Sequence, residues 1–284
     1  MGPQPQTLSY QFLVLPFKAV QILPLDERRQ PIRVPEGIRT ASGFIRREAH
    51  GLFLYTCWHV ATGIDMNTRK PPPAWTRPMW LRARLQSFQS PQPGVEAIGG
   101  LREVDIPLYD GESPRWAQDR QEIPDTDLNN AGLRVPSWHD AIKVPLPDIP
   151  VGNPQVIDGK DPVIGLLTPG ERLAIVGYPY GYSALGPNQP TPVVLTRFVA
   201  ATRIEGRPRE LLLDGGGAPG MSGGPAFVER DSQLHLVGLY TGLIFPDARE
   251  TRSTALGTCC DMGLCWGHSD HMGLLLVSAL KNRD

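Results

Sequence analysis

The stretch Gly217-Ala218-Pro219-Gly220-Met221-Ser222-Gly223-Gly224-Pro225 sets one hydroxyl in a context built for a tight turn. Glycine tolerates the backbone angles such a turn needs, and proline fixes the angles beside it. A serine hydroxyl is a weak nucleophile until a base removes its proton. This turn can present the hydroxyl while aiming the backbone N–H groups of Gly220 and Ser222 at one point. Two such donors would hold the oxyanion of an acyl-transfer intermediate. The same letters also describe a plain glycine-rich loop. The chemistry therefore needs a base, and an acid to orient it, from elsewhere in the chain.

The base candidate is His59, in Thr56-Cys57-Trp58-His59-Val60 after the apolar run 52–55. This segment resembles the T-x-x-H-V signature of chymotrypsin-fold serine proteases. Ala41-Ser42-Gly43-Phe44-Ile45 resembles their G-S-G-F strand. Asp214, Pro219 and Gly220 before Ser222 match the D-x-x-x-x-P-G-x-S-G-G/S-P pattern of the HtrA-type branch. The segment 171–181 is similar to that branch's segment ending in G-x-P-x-G, and Val237 to Gly242 to the strand lining its cleft. Five motifs in the family's order span roughly residues 39–245. The sequence is thus identified as resembling the HtrA-type branch, and the expected form is one without a PDZ domain.

The resemblance implies a serine endopeptidase with a triad of His59, Asp140 and Ser222. Asp140, in Trp138-His139-Asp140-Ala141-Ile142, resembles the family's aspartate at the head of a strand, although Lys143 interrupts the apolar run. Asp105 is the rival. Asp140 is preferred because the G-x-P-x-G segment follows it at the family's spacing. His50, His235, His268 and His271 lack the motif context of His59. In this family the residue six positions before the nucleophile, here Gly216, lies at the base of the primary specificity pocket. With Tyr240, Thr241 and Gly242 as walls, the expected pocket is neutral and prefers an uncharged residue before the cut. Asp214 would alter that if it turned inward. The alternative is a catalytically silent protease fold acting as a binding or scaffold module.

The elements that must position these groups read as strands. Pro and Gly number 30 each, and short β-branched runs lie between them. The spans 39–46 and 51–57 predict a hairpin delivering His59. Residues 79–88 alternate, with Leu81, Ala83 and Leu85 on one face and Trp80, Arg82 and Arg84 on the other, predicting a strand with one wet face. Residues 95–108 carry the next strands, and 111–136 reads as a surface insertion. The second half predicts strands over 172–178, 192–204, 210–214, 224–229 and 234–244, then a short apolar helix over 271–282. The expected fold is all-β: two six-stranded antiparallel barrels packed at a cleft, with a short C-terminal helix. The first domain spans 1–150 with His59 and Asp140, and the second spans 151–284 with Ser222.

Composition narrows the remaining classes. Net charge is −1 with no basic block, which disfavours a nucleic-acid groove or an anionic membrane surface. No apolar stretch has the length to span a bilayer, and the N-terminus lacks a secretory pattern. Cys57, Cys259, Cys260 and Cys265 are not spaced as a secreted disulfide framework. The expectation is a soluble cytoplasmic protein with no cofactor. Its expected partners are a protein or peptide substrate and, beyond that, a regulatory protein. A zinc site built on Cys259, Cys260, Cys265, His268 and His271 fits no regular ligand spacing, so no metal is expected.

Overall fold

The computed structural model describes residues 18–34, 37–64, 70–92, 95–118, 140–146, 155–158, 167–184, 186, 190–202, 210–231, 233–244 and 256–261. The first half runs β1 (Val20–Leu25), a small hairpin of β2 (Arg33–Val34) and β3 (Gly37–Ile38), β4 (Ala41–Glu48) and β5 (Gly51–Thr56). The one-turn helix α1 (Trp58–Thr62) follows. Next come β6 (Trp80–Gln92), β7 (Val95–Pro107), the short pair β8 (Tyr109–Asp110) and β9 (Ser113–Pro114), β10 (Ala117–Gln118), β11 (Ile142–Pro145) and β12 (Val156–Asp158). The second half holds β13 (Arg172–Gly177), β14 (Val193–Thr202), β15 (Glu210–Leu213), β16 (Pro225–Arg230), β17 (Gln233–Ile244) and β18 (Leu256–Asp261).

The architecture is all-β, with two large sheets beside the two-stranded pairs β2-β3 and β8-β9. Among the described residues, the second sheet closes as the barrel β13-β14-β15-β18-β17-β16. The first is a curled sheet of eight strands rather than six, in the order β10-β11-β5-β4-β1-β6-β7, with β12 pairing β4 in parallel. β12 lies beyond residue 150, where the first domain was expected to end, yet pairs within the first sheet. The expected C-terminal helix lies outside the described residues. So do most of the insertion 111–136 and the residues Cys265, His268 and His271.

The alternation read from 79–88 is the packing observed. Leu81, Ala83 and Leu85 are buried in the first core. Arg82 and Arg84 instead pair across the strands with Asp105 and Glu103 of β7. Val20, Phe44, Leu54 and Val144 fill the same core, while Leu173, Leu213, Met221, Val237 and Tyr240 fill the barrel. Lys143, which interrupts its apolar run, is fully buried. Its ammonium sits 2.8 Å from the Glu48 carboxylate and 4.9 Å from the centre of the Phe53 ring. Tyr55 donates its hydroxyl hydrogen bond to the same carboxylate.

Candidate active site

Strand register brings Asp140 to His59. β11 runs antiparallel to β5 with Ile142 opposite Thr56. The residues just before Ile142 therefore lie beside those just after Thr56. There α1 carries His59, its end closed by Gly63 in the left-handed conformation at φ 73°. The Arg39 guanidinium donates to the His59 carbonyl at 3.2 Å. Asp140 Oδ2 is 2.5 Å from His59 Nδ1, and Asp140 Oδ1 accepts the His59 backbone N–H at 2.9 Å. Both oxygens of one carboxylate thus fix the ring and the main chain that bears it. The Asp140 side chain is 5% exposed and the ring 22%, so the dyad has a dry side and an open side. Asp105 is not at this site. Its carboxylate takes two bonds from Arg82, at 2.7 and 3.0 Å, and these hydrogen bonds hold its pKa below the ordinary carboxylate value.

The serine turn is fixed by its main chain. Met221 N–H donates to Ala218 O at 3.1 Å, Gly223 N–H to Tyr240 O at 2.7 Å, and Gly224 N–H to Met221 O at 2.9 Å. Among the described residues, the N–H groups of Gly220 and Ser222 have no hydrogen-bond partner. They are the two amides expected to face an oxyanion. Gly220 and Gly223 have φ of 94° and 88°. A Cβ would lie 2.3 Å from Tyr178 O at Gly220 and 2.1 Å from Ser42 O at Gly223. Only glycine satisfies both the angle and the approach.

Ser42 pins this turn to the first sheet, a role the sequence reading did not give it. Its N–H donates to Ser222 O at 2.9 Å and its hydroxyl to Gly220 O at 2.7 Å. The hydroxyl also accepts Tyr178 N–H at 2.9 Å, and Ser42 O accepts the Thr56 hydroxyl at 2.8 Å. The available signal was a hydroxyl between Ala41 and Gly43, ahead of the apolar Phe44 and Ile45, which burial obliges to find partners.

The Ser222 hydroxyl donates to the Thr241 carbonyl at 3.5 Å, and among the described residues it makes no hydrogen bond to His59. The Cys57 thiol reaches the same carbonyl at 4.0 Å and Tyr240 O at 3.4 Å. Ligand atoms of Cys57, His59 and Asp140 all lie within 4.8 Å of one another. Of the other cysteines, Cys259 is buried on β18 opposite Tyr240.

Of the residues expected to line a pocket, Tyr240 lies against the glycine loop that contains Gly216. Tyr240 crosses from β17 to accept the Gly217 N–H on its phenol oxygen at 2.6 Å. Burial pushes the Tyr240 pKa up to about 12. Gly216 O is held by Arg197 of β14, at 3.2 Å from Nε and 2.7 Å from a terminal nitrogen. Nothing in the sequence tied Arg197 to this loop. Asp214 turns away: its carboxylate accepts the Phe198 N–H at 3.0 Å. Thr241 and Gly242 follow Tyr240 on β17, and Gly242 has φ 154°.

No protein-family model and no curated protein matches the sequence. Solved structures do. The chain is similar to the serine endoprotease from Yersinia pestis, with 14% identity, 97% of this chain and 68% of that chain covered, and a TM-score of 0.49. It is similar to the HtrA-type protease AlgW with decapeptide, with 14% identity, the same two coverages and a TM-score of 0.46. It is also similar to the active form of the Rv3671c protease from M. tuberculosis, with 16% identity, 94% and 86% coverage and a TM-score of 0.43.

Proposed function

We propose that this protein is a serine endopeptidase that hydrolyses peptide bonds through Ser222, His59 and Asp140. The observation that carries the reading is the double hold of Asp140 on His59, 2.5 Å to the ring and 2.9 Å to the main chain. Such a carboxylate selects the tautomer whose free ring nitrogen can take a proton, and it stabilises the imidazolium that results. Ser222 attacks the peptide carbonyl after its hydroxyl turns from Thr241 O to His59. The Gly220 and Ser222 amides receive the oxyanion, one such donor being worth on the order of 3 kcal/mol of barrier. His59 then returns its proton to the leaving amine, and water repeats the sequence on the acyl-enzyme. Gly216, Tyr240, Thr241 and Gly242 form the surface under the residue before the cut. They carry no carboxylate, so this residue is uncharged.

A fluorophosphonate probe tests the assignment. The wild type is labelled on Ser222 and Ser222→Ala is not. Labelling that persists in Ser222→Ala ends the serine assignment. A second reading is a silent protease fold that binds without cutting, favoured by the Ser222 hydroxyl resting on Thr241 O. No labelling of the folded wild type would establish that reading instead.

A further inference from the structure

A substrate carbonyl attacked by Ser222 sits within bonding range of its hydroxyl, with its oxygen at the Gly220 and Ser222 amides. On the pocket position that the family resemblance implies, the side chain on that acyl residue lies between two flanking segments. One is β17 at 240–242, whose Thr241 carbonyl touches the Ser222 hydroxyl at 3.5 Å. The other is the loop 215–217 leading into the turn. Tyr240 bridges these segments. Its phenol oxygen is 2.6 Å from Gly217 N, and its side chain belongs to the barrel core with only 2% of the residue exposed. A Cβ built on Gly217 would lie 2.9 Å from the ring carbon that bears the hydroxyl and 2.9 Å from the hydroxyl itself. Ring and loop are therefore in contact, with no room for a side chain between them. On the far side of the loop, Arg197 grips Gly216 O at 2.7 Å and prevents the loop from swinging clear cheaply.

We propose that the Tyr240 ring fills the place of the substrate's primary side chain, so that cleavage follows glycine or alanine and not larger residues. The inference rests on the serine-endopeptidase reading and names its substrate class. It also reinterprets the glycine run: Gly217 lacks a side chain to make room for the protein's own tyrosine, not for the substrate. A pocket closed by an aromatic ring discriminates by shape, and one surplus methylene in such a site costs about 10- to 200-fold in kcat/KM.

The test uses the full chain and fluorogenic peptides that differ only in the residue before the cut: Gly, Ala, Leu, Phe and Arg. The wild type is expected to favour alanine or glycine over leucine and phenylalanine by at least about 100-fold in kcat/KM. Tyr240→Leu and Tyr240→Ala should move the preference to phenylalanine or leucine. Tyr240→Phe keeps the ring and should keep the small-residue preference. Equal wild-type cleavage after phenylalanine and alanine overturns the inference, as does an unchanged preference in a folded Tyr240→Ala or Tyr240→Leu. Should neither small-side-chain variant fold, the wild-type profile decides alone. Ser222 labelling without cleavage after any residue means the ring shuts the pocket altogether, and this too overturns it. Absence of both labelling and cleavage is the distinct failure of the endopeptidase reading, which takes this inference with it.

Discussion

Beside the first sheet, Asp140 grips His59 with both carboxylate oxygens, at 2.5 and 2.9 Å, whereas in the barrel the Ser222 hydroxyl makes, among the described residues, one hydrogen bond at 3.5 Å. The supports differ in the same way. The first sheet spends side chains: buried Lys143 on Glu48, Arg82 on Asp105, Asp140 on His59. At the serine the barrel relies mainly on main chain: peptide hydrogen bonds and two glycines with no room for a side chain hold the turn, with the Ser42 hydroxyl on Gly220 O as its side-chain support. Ion pairs and carboxylate bonds can be altered one atom at a time while the fold survives. A turn fixed by steric exclusion fails as a unit. His59 and Asp140 thus form an adjustable part, and Ser222 sits on a rigid one.

Asp140→Asn tests the adjustable part with the largest expected effect. Loss of the correct ring tautomer should lower turnover of an alanyl peptide by ~10⁴ while circular dichroism shows the fold retained. A loss below tenfold would mean that Asp140 only supports the backbone. Gly223→Ala tests the rigid part. Its Cβ meets Ser42 O at 2.1 Å with φ at 88°, so denaturant unfolding should show a loss of about 3 kcal/mol together with loss of Ser222 labelling. Wild-type stability there would mean that the turn is soft and the contrast false.

The smallest effect belongs to Asp105→Asn, which removes an ion pair on β7 and should cost at most about 1 kcal/mol with turnover unchanged. The sign with pH follows from its lowered pKa. The contribution is complete above the unfolded aspartate value near 4 and disappears as pH falls through the folded value. Melting temperatures of the wild type and Asp105→Asn should therefore converge below about pH 4. A turnover loss equal to that of Asp140→Asn would return the orienting role to Asp105.

Much of this was legible in the letters because the signals are local. Alternation from Trp80 to Leu85 predicts which faces are buried, and burial follows it. Five of the six barrel strands are readable as β-rich runs between turn residues. β18 was not, because its Leu-Gly-Thr-Cys-Cys-Asp is weak as a strand and gains its place only by pairing with β15 and β17. Lys143 looked like a break in a strand, since its partner Glu48 lies 95 residues away.

By itself the sequence determined a serine in a turn that only glycine can make, a histidine beyond a strand, two aspartates that could serve it, and an all-β chain. Those depend on neighbours within a few residues, where backbone sterics and side-chain period act. Tertiary structure set which aspartate lies beside His59, by the register of β11 on β5 that lays Asp140 along it. It also set Ser42 under the turn, Arg197 behind the loop and Tyr240 against Gly217. These contacts join residues far apart in the chain, so they follow from how two sheets close and meet, which no local pattern encodes.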